Sequence, residues 1–198
     1  MFTGIIQSTG TVIAVGQNGT NKSFWIESPL SGELRPDQSL CHDGVCLTVE
    51  ATEQGRHRVT AIEETLKKTT LEKWVAGTLV NLEPSLRLDD SLEGHMVQGH
   101  VDCTGLCLKR KEKRGSWEFE FEYPGRFAPL LIEKGSVAVN GISLTVFNVK
   151  KKRFTVAVIP YTFEHTNISQ VKKGDRVNVE FDLIGKYLHR STILKKNK

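Results

Sequence analysis

The stretch DGVCLTV, residues 43–49, returns as NGISLTV at residues 140–146, so that Gly44 corresponds to Gly141 at an offset of 97 residues. The same offset aligns GTLVNLE (77–83) with GDRVNVE (174–180), and an offset of 95 aligns TGIIQSTG (3–10) with QGHVDCTG (98–105). Several anchors in the same order at nearly one spacing indicate an internal duplication. We therefore predict two homologous domains, residues 1–95 and 96–182, followed by a C-terminal segment, residues 183–198.

Both copies have the pattern of short antiparallel strands. In SWEFEFEY (116–123) aromatic residues alternate with Glu118, Glu120 and Glu122, which is the period of a half-buried strand. The pair Asn140-Gly141 is typical of a tight hairpin turn. Short strands, about six to a copy, predict a closed barrel that leaves no exposed edge. The predicted fold class is all-β: two similar six-stranded antiparallel, Greek-key-like barrels followed by a C-terminal α-helix.

Three segments indicate helices. TLKKTTLEKW (65–74) and TFEHTNISQV (162–171) occupy equivalent places in the two copies and predict a short helix or turn in each. In DLIGKYLHRSTIL (182–194) the apolar residues lie near one helical face. One helix after two barrels has little core of its own to cover, so we expect residues 183–198 to form an oligomer-contacting helix with a basic tail.

Composition argues against several classes of protein. The 198 residues carry 27 basic and 23 acidic side chains, a net charge of +4, and 38% of them are hydrophobic. A nucleic-acid-binding barrel needs a basic groove with exposed aromatics, but the aromatics of residues 116–123 alternate with glutamates that repel phosphate. The N-terminus lacks the pattern of a secretion signal, and no apolar run approaches the roughly 20 residues that span a bilayer. We predict a cytoplasmic protein with neither a nucleic-acid nor a membrane partner.

A metal site is disfavoured. A zinc site would combine Cys103 and Cys107 with His95 and His100, but none of the pairs has the short C-x2-C spacing, and VDCTGLCL (101–108) has the pattern of a strand. Four cysteines suit free thiols in a reducing compartment. We expect no bound metal.

The junction EGHMVQGHVD (93–102) contains the main catalytic candidate. The offset of 95 places His100 opposite Ile5, and a purely structural repeat has no reason to exchange an apolar strand residue for a histidine beside a glycine. Imidazole titrates near pH 6.5 and can exchange a proton at neutral pH. The alternative is a hydrogen-bonded histidine at the barrel mouth. His95 is interpreted as a linker residue.

Hydroxyl-bearing residues recur beside the repeated glycines. Thr48 and Thr145 correspond, as do Thr65 and Thr162. Each threonine alone is an ordinary strand residue, but the pairs together indicate two related sites for a polar small molecule.

These motifs resemble the riboflavin synthase alpha family: the opening MFTGII (1–6), the SLTV-type motif in both copies, GHMVQGHVD (94–102), and the ETL (64–66) and YTF (161–163) segments. The resemblance extends to about residue 190. It implies a transferase that converts two molecules of 6,7-dimethyl-8-ribityllumazine into riboflavin and 5-amino-6-(D-ribitylamino)uracil by moving a four-carbon unit, without an external cofactor. It also implies a homotrimer whose active sites form between subunits, and lumazine synthase as a partner.

The resemblance further implies a ligand shell in each barrel. The N-terminal shell would consist of Gly4, Ile5, Ile6, Cys46, Leu47, Thr48, Thr60, Ala61, Ile62, Glu63, Glu64 and Thr65. The C-terminal shell would consist of Gly99, His100, Val101, Ser143, Leu144, Thr145, Val158, Ile159, Pro160, Tyr161, Thr162 and Phe163, with Lys134 from the neighbouring subunit.

The chemistry implied by the resemblance needs a proton removed from the C7 methyl group of one lumazine and a nucleophile added at C7 of the other. We expect His100 and Thr145 near the proton transfer, Ser39 and Cys46 near the other ring, and Phe2 over the site. The expected result of His100→Ala is a substantially lower turnover in a folded protein.

Two positions depart from the family pattern. Family members often carry Asp at the position of Asn140 and Glu at that of Tyr161, both expected beside the C-terminal site. If a carboxylate there stabilises a charged intermediate, its absence predicts slower turnover or reliance on Asp182.

Some relatives hold lumazine or flavin as a fluorescent antenna and do no chemistry, which is the alternative function. Those proteins tend to lose the junction histidines and the reactive residues of the first barrel. This sequence keeps His95, His100, Ser39 and Cys46, which favours catalysis.

Overall fold

The computed structural model describes residues 1–196, and residues 197 and 198 of the predicted basic tail lie outside the described residues. The first barrel closes in the strand order β1-β2-β5-β4-β3-β6, and the second in the equivalent order β7-β8-β11-β10-β9-β12. This agreement confirms both the duplication and the predicted fold class. The strands are β1 (Ser8–Asn18), β2 (Asn21–Glu27), β3 (Ser39–His42), β4 (Val45–Glu53), β5 (Arg56–Ala61), β6 (Leu79–Pro84), β7 (Cys103–Lys113), β8 (Ser116–Glu122), β9 (Ser136–Val139), β10 (Ile142–Lys150), β11 (Arg153–Val158) and β12 (Arg176–Phe181).

Each barrel encloses its own apolar core. The alternation predicted for β8 is confirmed, because Phe119 and Phe121 are fully buried while the glutamates between them are partly exposed. Phe121 packs against Phe154 of β11 with ring centroids 5.7 Å apart. In the first barrel, Trp74 closes the core edge-on against Phe24 at 5.2 Å.

The first barrel also buries a histidine pair. The Nε2 atoms of His42 and His57 lie 2.9 Å apart, and neither residue is exposed to solvent. His42 Nδ1–H donates to the Leu40 carbonyl at 3.1 Å, so Nε2 of neutral His42 must accept the proton carried by His57 Nε2. His57 Nδ1 then accepts from the Ser31 hydroxyl at 2.8 Å. Burial lowers the pKa of His57 to about 4 and that of His42 well below its usual value, so both rings are neutral near pH 7.

The barrels meet through their β3–β4 and β9–β10 hairpin turns. Asp43 and Gly44 have φ of 47° and 81°, and Asn140 and Gly141 have φ of 46° and 78°. Two consecutive residues with positive φ make the type I′ turn that the Asn-Gly signal predicts. A Cβ on Gly44 would lie 2.9 Å from the Gly141 nitrogen, and one on Gly141 would lie 2.8 Å from the Gly44 nitrogen. Glycine is therefore required at both turns, whose equivalent positions define a pseudo-twofold axis.

The predicted helical segments are confirmed. Helices α1 (Glu63–Lys68) and α2 (Pro160–His165) are each followed by a 3-10 turn, Thr70–Lys73 and Asn167–Gln170, and further 3-10 turns occur at Pro29–Gly32 and Gly125–Leu130. Helix α3 (Leu183–Lys196) packs against the Gly125–Leu130 turn. It leaves Ile184, Tyr187 and Leu188 mostly exposed, and its contact with another copy stays a prediction. Within residues 1–196, no helix combines the length and apolarity needed to cross a membrane.

Candidate functional site

The V-N-x-E motif that closes each copy supplies a buried glutamate. Glu83 lies at the end of β6 with 3% of its surface exposed. Its Oε1 accepts hydrogen bonds from the Thr3 amide at 2.6 Å and the Thr3 hydroxyl at 2.7 Å, and its Oε2 accepts from the Gly4 amide at 3.0 Å. Burial raises the pKa of Glu83, and these hydrogen bonds oppose that shift. Glu83 thus fixes residues 3–4 to the first barrel.

Glu180 does the same at the end of β12. Its Oε1 accepts from the Gln98 amide at 2.7 Å, and its Oε2 accepts from the amides of Gly99 and His100 at 3.0 and 2.9 Å. Burial raises the pKa of Glu180 as well. Residues 3–6 and 98–101, which we call the leading segments, are therefore held by equivalent carboxylates.

Each leading segment then crosses to the other barrel. The Gly4 carbonyl accepts a hydrogen bond from the Ser143 amide of β10, and the Gly99 carbonyl accepts one from the Cys46 amide of β4, both at 2.8 Å. Ile6 packs against the core of the second barrel, and partly buried Val101 against the core of the first. The leading segments are exchanged between the barrels.

This exchange corrects the predicted ligand shells. Gly4, Ile5 and Ile6 were grouped with the first barrel, and Gly99, His100 and Val101 with the second. That grouping is wrong because the two segments pass each other at the pseudo-twofold axis, where Phe2 and Val97 form a β-bridge. The repeat alignment shows which residues correspond but does not show which barrel they contact.

Two sets of predicted residues result from the exchange. The first-barrel site combines residues 46–48 and 60–65 with residues 99–101, and the second-barrel site combines residues 143–145 and 158–163 with residues 4–6. The strands within each set are adjacent, because Val49 pairs with Val59 and Val146 with Val156. Thr48 and Thr145 are exposed at equivalent places. Exposed Ile62 and Ile159 directly follow β5 and β11, the strands that pair with those of Thr48 and Thr145. Apolar surface together with hydroxyl groups suits a ligand with a flat ring and a polar chain.

His95 lies in the second-barrel site. Its Nδ1 is 2.7 Å from the Ser143 hydroxyl, only 8% of the residue is exposed, and its Nε2 is buried without a hydrogen-bond partner among residues 1–196. Burial lowers the pKa of His95, while the charge of Asp182 opposes that shift. His95 does lie in the segment that links the barrels, between β6 and β7, but its imidazole is buried against the second barrel. The sequence signal that could have identified it is the second Gly-His pair, Gly94-His95, five residues before the first candidate.

Comparisons with known proteins show the family to which the chain belongs. The lumazine binding domain family matches residues 3–85 and again residues 98–182. The riboflavin synthase of Brucella abortus (strain 2308) is 39% identical over 196 residues, covering 96% of this chain and 97% of that protein. The riboflavin synthase of Bacillus amyloliquefaciens is 35% identical over 191 residues, covering 96% and 89%. The chain belongs to the riboflavin synthase family.

Solved structures of low sequence identity share the fold. LumP complexed with riboflavin superposes with a TM-score of 0.86 at 20% identity, covering 91% of this chain and 99% of that chain. LumP complexed with 6,7-dimethyl-8-(1'-D-ribityl)lumazine gives a TM-score of 0.83 at 18% identity with the same coverage. The two-barrel architecture of this riboflavin synthase family member is therefore shared with a ligand-binding protein of distant sequence.

The structure separates two residues that were expected to act together. His100 is exposed and follows Gly99, which contacts Cys46 of the first barrel, whereas Thr145 lies in β10 of the second barrel beside Ser143. Within one chain, His100 and Thr145 therefore belong to different sites. Ser39 pairs with Thr48 across β3 and β4 and is partly buried, and its place in a ligand site stays a prediction.

Phe2 lies behind the ligand sites rather than over them. It is fully buried in a small cluster with Cys41, Val97 and Ala138. A Cβ on Gly99 would lie 3.0 Å from the Phe2 ring, so Phe2 backs the second leading segment. The expectation that Phe2 covers the site is wrong because its side chain turns toward the axis between the barrels.

Asp182 and Lys134 lie outside the strands of the second barrel: Asp182 directly follows β12, and Lys134 precedes β9. Asp182 is partly buried, accepts a hydrogen bond from the Ile184 amide at the start of α3, and lies close enough to His95 to influence its titration. Lys134 is exposed in a turn with φ of 64°. Its contact with a neighbouring subunit stays a prediction.

Asn140 lies in a buried network between the barrels. Its Oδ1 accepts from the Asn178 amide at 2.8 Å, and its Nδ2 donates to Asn167 at 3.3 Å. On the other side of the axis, Asp43 Oδ1 accepts from the Asn81 amide at 2.7 Å and from Asn167 Nδ2 at 2.8 Å. Burial raises the pKa of Asp43 to about 7. The carboxylate of this buried network therefore lies at Asp43, across the axis from Asn140.

Tyr161 lies at the start of α2, among the residues predicted for the second-barrel site. Its ring is stacked on His165 with centroids 4.1 Å apart, and 68% of Tyr161 is exposed. His165 Nδ1–H donates to the Tyr161 carbonyl at 2.8 Å, which holds the stack in place. Position 161 therefore presents an exposed aromatic ring at this edge of the second barrel.

The cysteines and histidines do not form a metal cluster in residues 1–196. No group of three or more His, Cys, Asp or Glu side chains there has the geometry to hold a metal ion. All four cysteines are unpaired, and burial raises the pKa of Cys103 to about 12.

Proposed function

We propose that this protein is a riboflavin synthase that converts two molecules of 6,7-dimethyl-8-ribityllumazine into riboflavin and 5-amino-6-(D-ribitylamino)uracil. The observation that carries the proposal is a pair of equivalent sites, each completed by a segment of the other half of a chain that belongs to this family. A reaction between two copies of one substrate needs two related sites, and much of its rate would come from holding two flat rings in reacting geometry.

The test is incubation of the purified protein with the lumazine alone. We expect riboflavin and the uracil product in equal amounts, with two lumazines consumed for each riboflavin and no added cofactor or metal. Loss of lumazine without riboflavin, or riboflavin formed in another ratio, would contradict the proposed reaction.

The polar residues suggest different roles for the two sites. Neutral His95, hydrogen-bonded to Ser143, can accept a proton from the hydroxyl or from a ligand methyl group in the second-barrel site. In the first-barrel site, Cys46, Ser39 and exposed His100 offer a thiol, a hydroxyl and an imidazole. We assign proton transfer in the second-barrel site to His95 with Ser143 and Thr145, and contacts with the other ring to Cys46, Ser39 and His100.

The proposal includes an assembly and a location. We infer a homotrimer in the cytoplasm with active sites between subunits, and lumazine synthase as a partner, on the basis of the family resemblance. Ile184, Tyr187 and Leu188 of α3 support self-association, because they are mostly exposed apolar side chains on one helix. Sedimentation of the full chain tests the trimer, and a monomer with full activity would contradict a site shared between subunits.

A binding protein without catalysis is the second candidate, favoured by the fold shared with LumP. The same incubation distinguishes the two functions. Lumazine fluorescence that changes on mixing but yields no riboflavin would support a binding protein.

A further inference from the structure

The two buried glutamates are placed to control the sites crosswise. Glu83 belongs to the first barrel, but the segment that it holds reaches the second-barrel site through the hydrogen bond between the Gly4 carbonyl and Ser143. Glu180 belongs to the second barrel, but its segment reaches the first-barrel site through the hydrogen bond between the Gly99 carbonyl and Cys46.

Each carboxylate satisfies three donors of its leading segment. Glu83 receives the Thr3 amide, the Thr3 hydroxyl and the Gly4 amide, and both Thr3 and Gly4 are buried. Glu180 receives the amide of buried Gly99 together with those of Gln98 and His100. A negatively charged acceptor makes shorter and stronger hydrogen bonds than a neutral one, and an unsatisfied buried amide is costly. The shape of each leading segment therefore depends on the glutamate more than on the strand that the segment approaches.

The left-handed glycines make this dependence sharper. Gly4 and Gly99 have φ of 79° and 80°, and each presents its carbonyl to the facing strand directly after an amide bound by the glutamate. A small shift of the amide is thus passed to the carbonyl of the same residue. That carbonyl in turn fixes the amide of Ser143 or of Cys46, the residues that bear the site's hydroxyl and thiol.

We propose that Glu83 and Glu180 are crosswise positioning residues: each is anchored in one barrel and orders the segment that completes the ligand site of the other. The proposal rests on the proposed function, since it concerns the same two sites. Neither glutamate is expected to touch the ligand, because both carboxylates are buried and their hydrogen bonds go to the backbone and hydroxyl of the leading segments. Each glutamate is instead expected to affect the ligand affinity of the site in the opposite barrel.

The matched variants Glu83→Gln and Glu180→Gln test the proposal, and each is the control for the other. Glutamine keeps the shape and one acceptor oxygen but replaces the other oxygen with an amino group that cannot accept. The backbone amide NMR signals of Cys46 and Ser143 report the two junctions separately in the full chain. Each variant is titrated with riboflavin while both signals are followed.

We expect Glu180→Gln to weaken riboflavin binding by about tenfold at the Cys46 signal and by less than about twofold at the Ser143 signal. Glu83→Gln should give the reverse. Equal weakening at both signals would show a general loss of stability, and weakening in the barrel that contains the substituted glutamate would show a local role; either result overturns the proposal.

Two milder variants keep the proposal testable if Glu83→Gln or Glu180→Gln fails to fold. Thr3→Val removes one hydroxyl from the Glu83 cluster and should affect the Ser143 signal alone, and Glu180→Asp keeps the charge but shortens its reach and should affect the Cys46 signal alone. If riboflavin shifts neither signal in the wild-type protein, the proposed function fails. The ligand-free positions of the two signals in the variants then still show whether the control is crosswise, and unchanged positions would overturn it.

Discussion

At positions 42 and 57 the first barrel has a hydrogen-bonded histidine pair, whereas the second barrel has Val139 and Phe154 at the equivalent places. All four side chains are buried inside closed six-stranded barrels of the same strand order. The interior can therefore be polar or apolar, provided that every donor finds an acceptor. In contrast, the hairpin-turn glycines, the glycines of the leading segments and the closing glutamates are the same in both copies. Both copies therefore keep the residues that set the backbone geometry where the two barrels meet.

The two sites likewise share their backbone contacts and differ in their side chains. Ser143 and Cys46 occupy equivalent positions, and each amide donates to a glycine carbonyl. Only Ser143 has a histidine hydrogen-bonded to its side chain; the Cys46 thiol makes no hydrogen bond in the part of the chain that the structure describes. Two sites with one origin have thus acquired different polar side chains, which supports the proposal that they treat two identical substrates differently.

The largest effect is expected from breaking the shared junction. Gly4→Ala and Gly99→Ala each place a Cβ 2.6 Å from the Cβ of the facing Ser143 or Cys46, at a φ that L-residues rarely adopt. Strain and overlap together should cost about 4 kcal/mol in the free energy of unfolding. Urea denaturation checks this, with Gly19→Ala as the control, because a Cβ there meets no atom within 4 Å although its φ is also positive. Similar losses for Gly19→Ala and Gly4→Ala would mean that overlap with the facing strand contributes little.

Turnover measurements should reveal the difference between the two sites, one with His95 and the other with His100. His95→Asn removes the imidazole beside Ser143 and is expected to lower kcat by about 100-fold, the usual contribution of a positioned general base. His100→Ala, in the other site, should lower turnover less and should not unfold the barrels. Steady-state rates with lumazine as the sole substrate measure both, and equal losses would remove the assignment of proton transfer to the second-barrel site.

Much of this architecture could be predicted from repeats and strand periodicity. The offset of 97 residues identified the turns that meet at the axis, and the V-N-x-E motif marked the strands that hold the leading segments. The exchange of those segments could not be predicted, because hydrogen bonds from Ser143 to Gly4 and from Cys46 to Gly99 join residues 139 and 53 positions apart without any local pattern. His95 was missed because nothing in its neighbourhood shows that Gly94 lets the chain pass the Thr3 carbonyl, to which the His95 amide donates.

The histidine pair predicts that acid destabilises the first barrel. Histidine has a pKa near 6.5 in the unfolded chain, whereas burial lowers the folded pKa of His57 to about 4 and that of His42 well below its usual value. The unfolded state therefore binds more protons as the pH falls from 6.5 toward 4, and stability is lost across that window. Between pH 7.5 and 5.5 the pair should cost about 2.7 kcal/mol.

The matched control replaces the histidine pair with the residues found at the equivalent positions of the second barrel. His42→Val with His57→Phe should remove that part of the pH dependence, while His95, whose pKa burial also lowers, contributes equally to both proteins. Urea unfolding of the two proteins at both pH values isolates the difference. A wild-type protein that loses no more stability than the double variant would show that the buried pair stays neutral at no cost.

The last comparison concerns the carboxylate at the axis. Burial raises the folded pKa of Asp43 to about 7, above the 3.8 of the free side chain, so its ionised form is disfavoured and stability falls as the pH rises from about 4 to 7. Asp43→Asn keeps an oxygen to accept from the Asn81 and Asn167 nitrogens and makes the axis resemble Asn140 on the other side. It should raise the free energy of unfolding at pH 8, where the wild-type carboxylate is ionised, and have little effect at pH 4, where it is protonated in the folded state.

The exchange variant Asp43→Asn with Asn140→Asp sharpens this comparison. It moves the carboxylate to the equivalent position on the other side of the axis, and it should match the wild-type stability at pH 8. Asn140→Asp alone adds a second buried carboxylate and should lower stability. Because Asn167 donates to Asp43 but accepts from Asn140, the network is not symmetric about the axis. An exchange variant that is less stable than wild type would therefore show that Asn167 selects the side on which the charge lies.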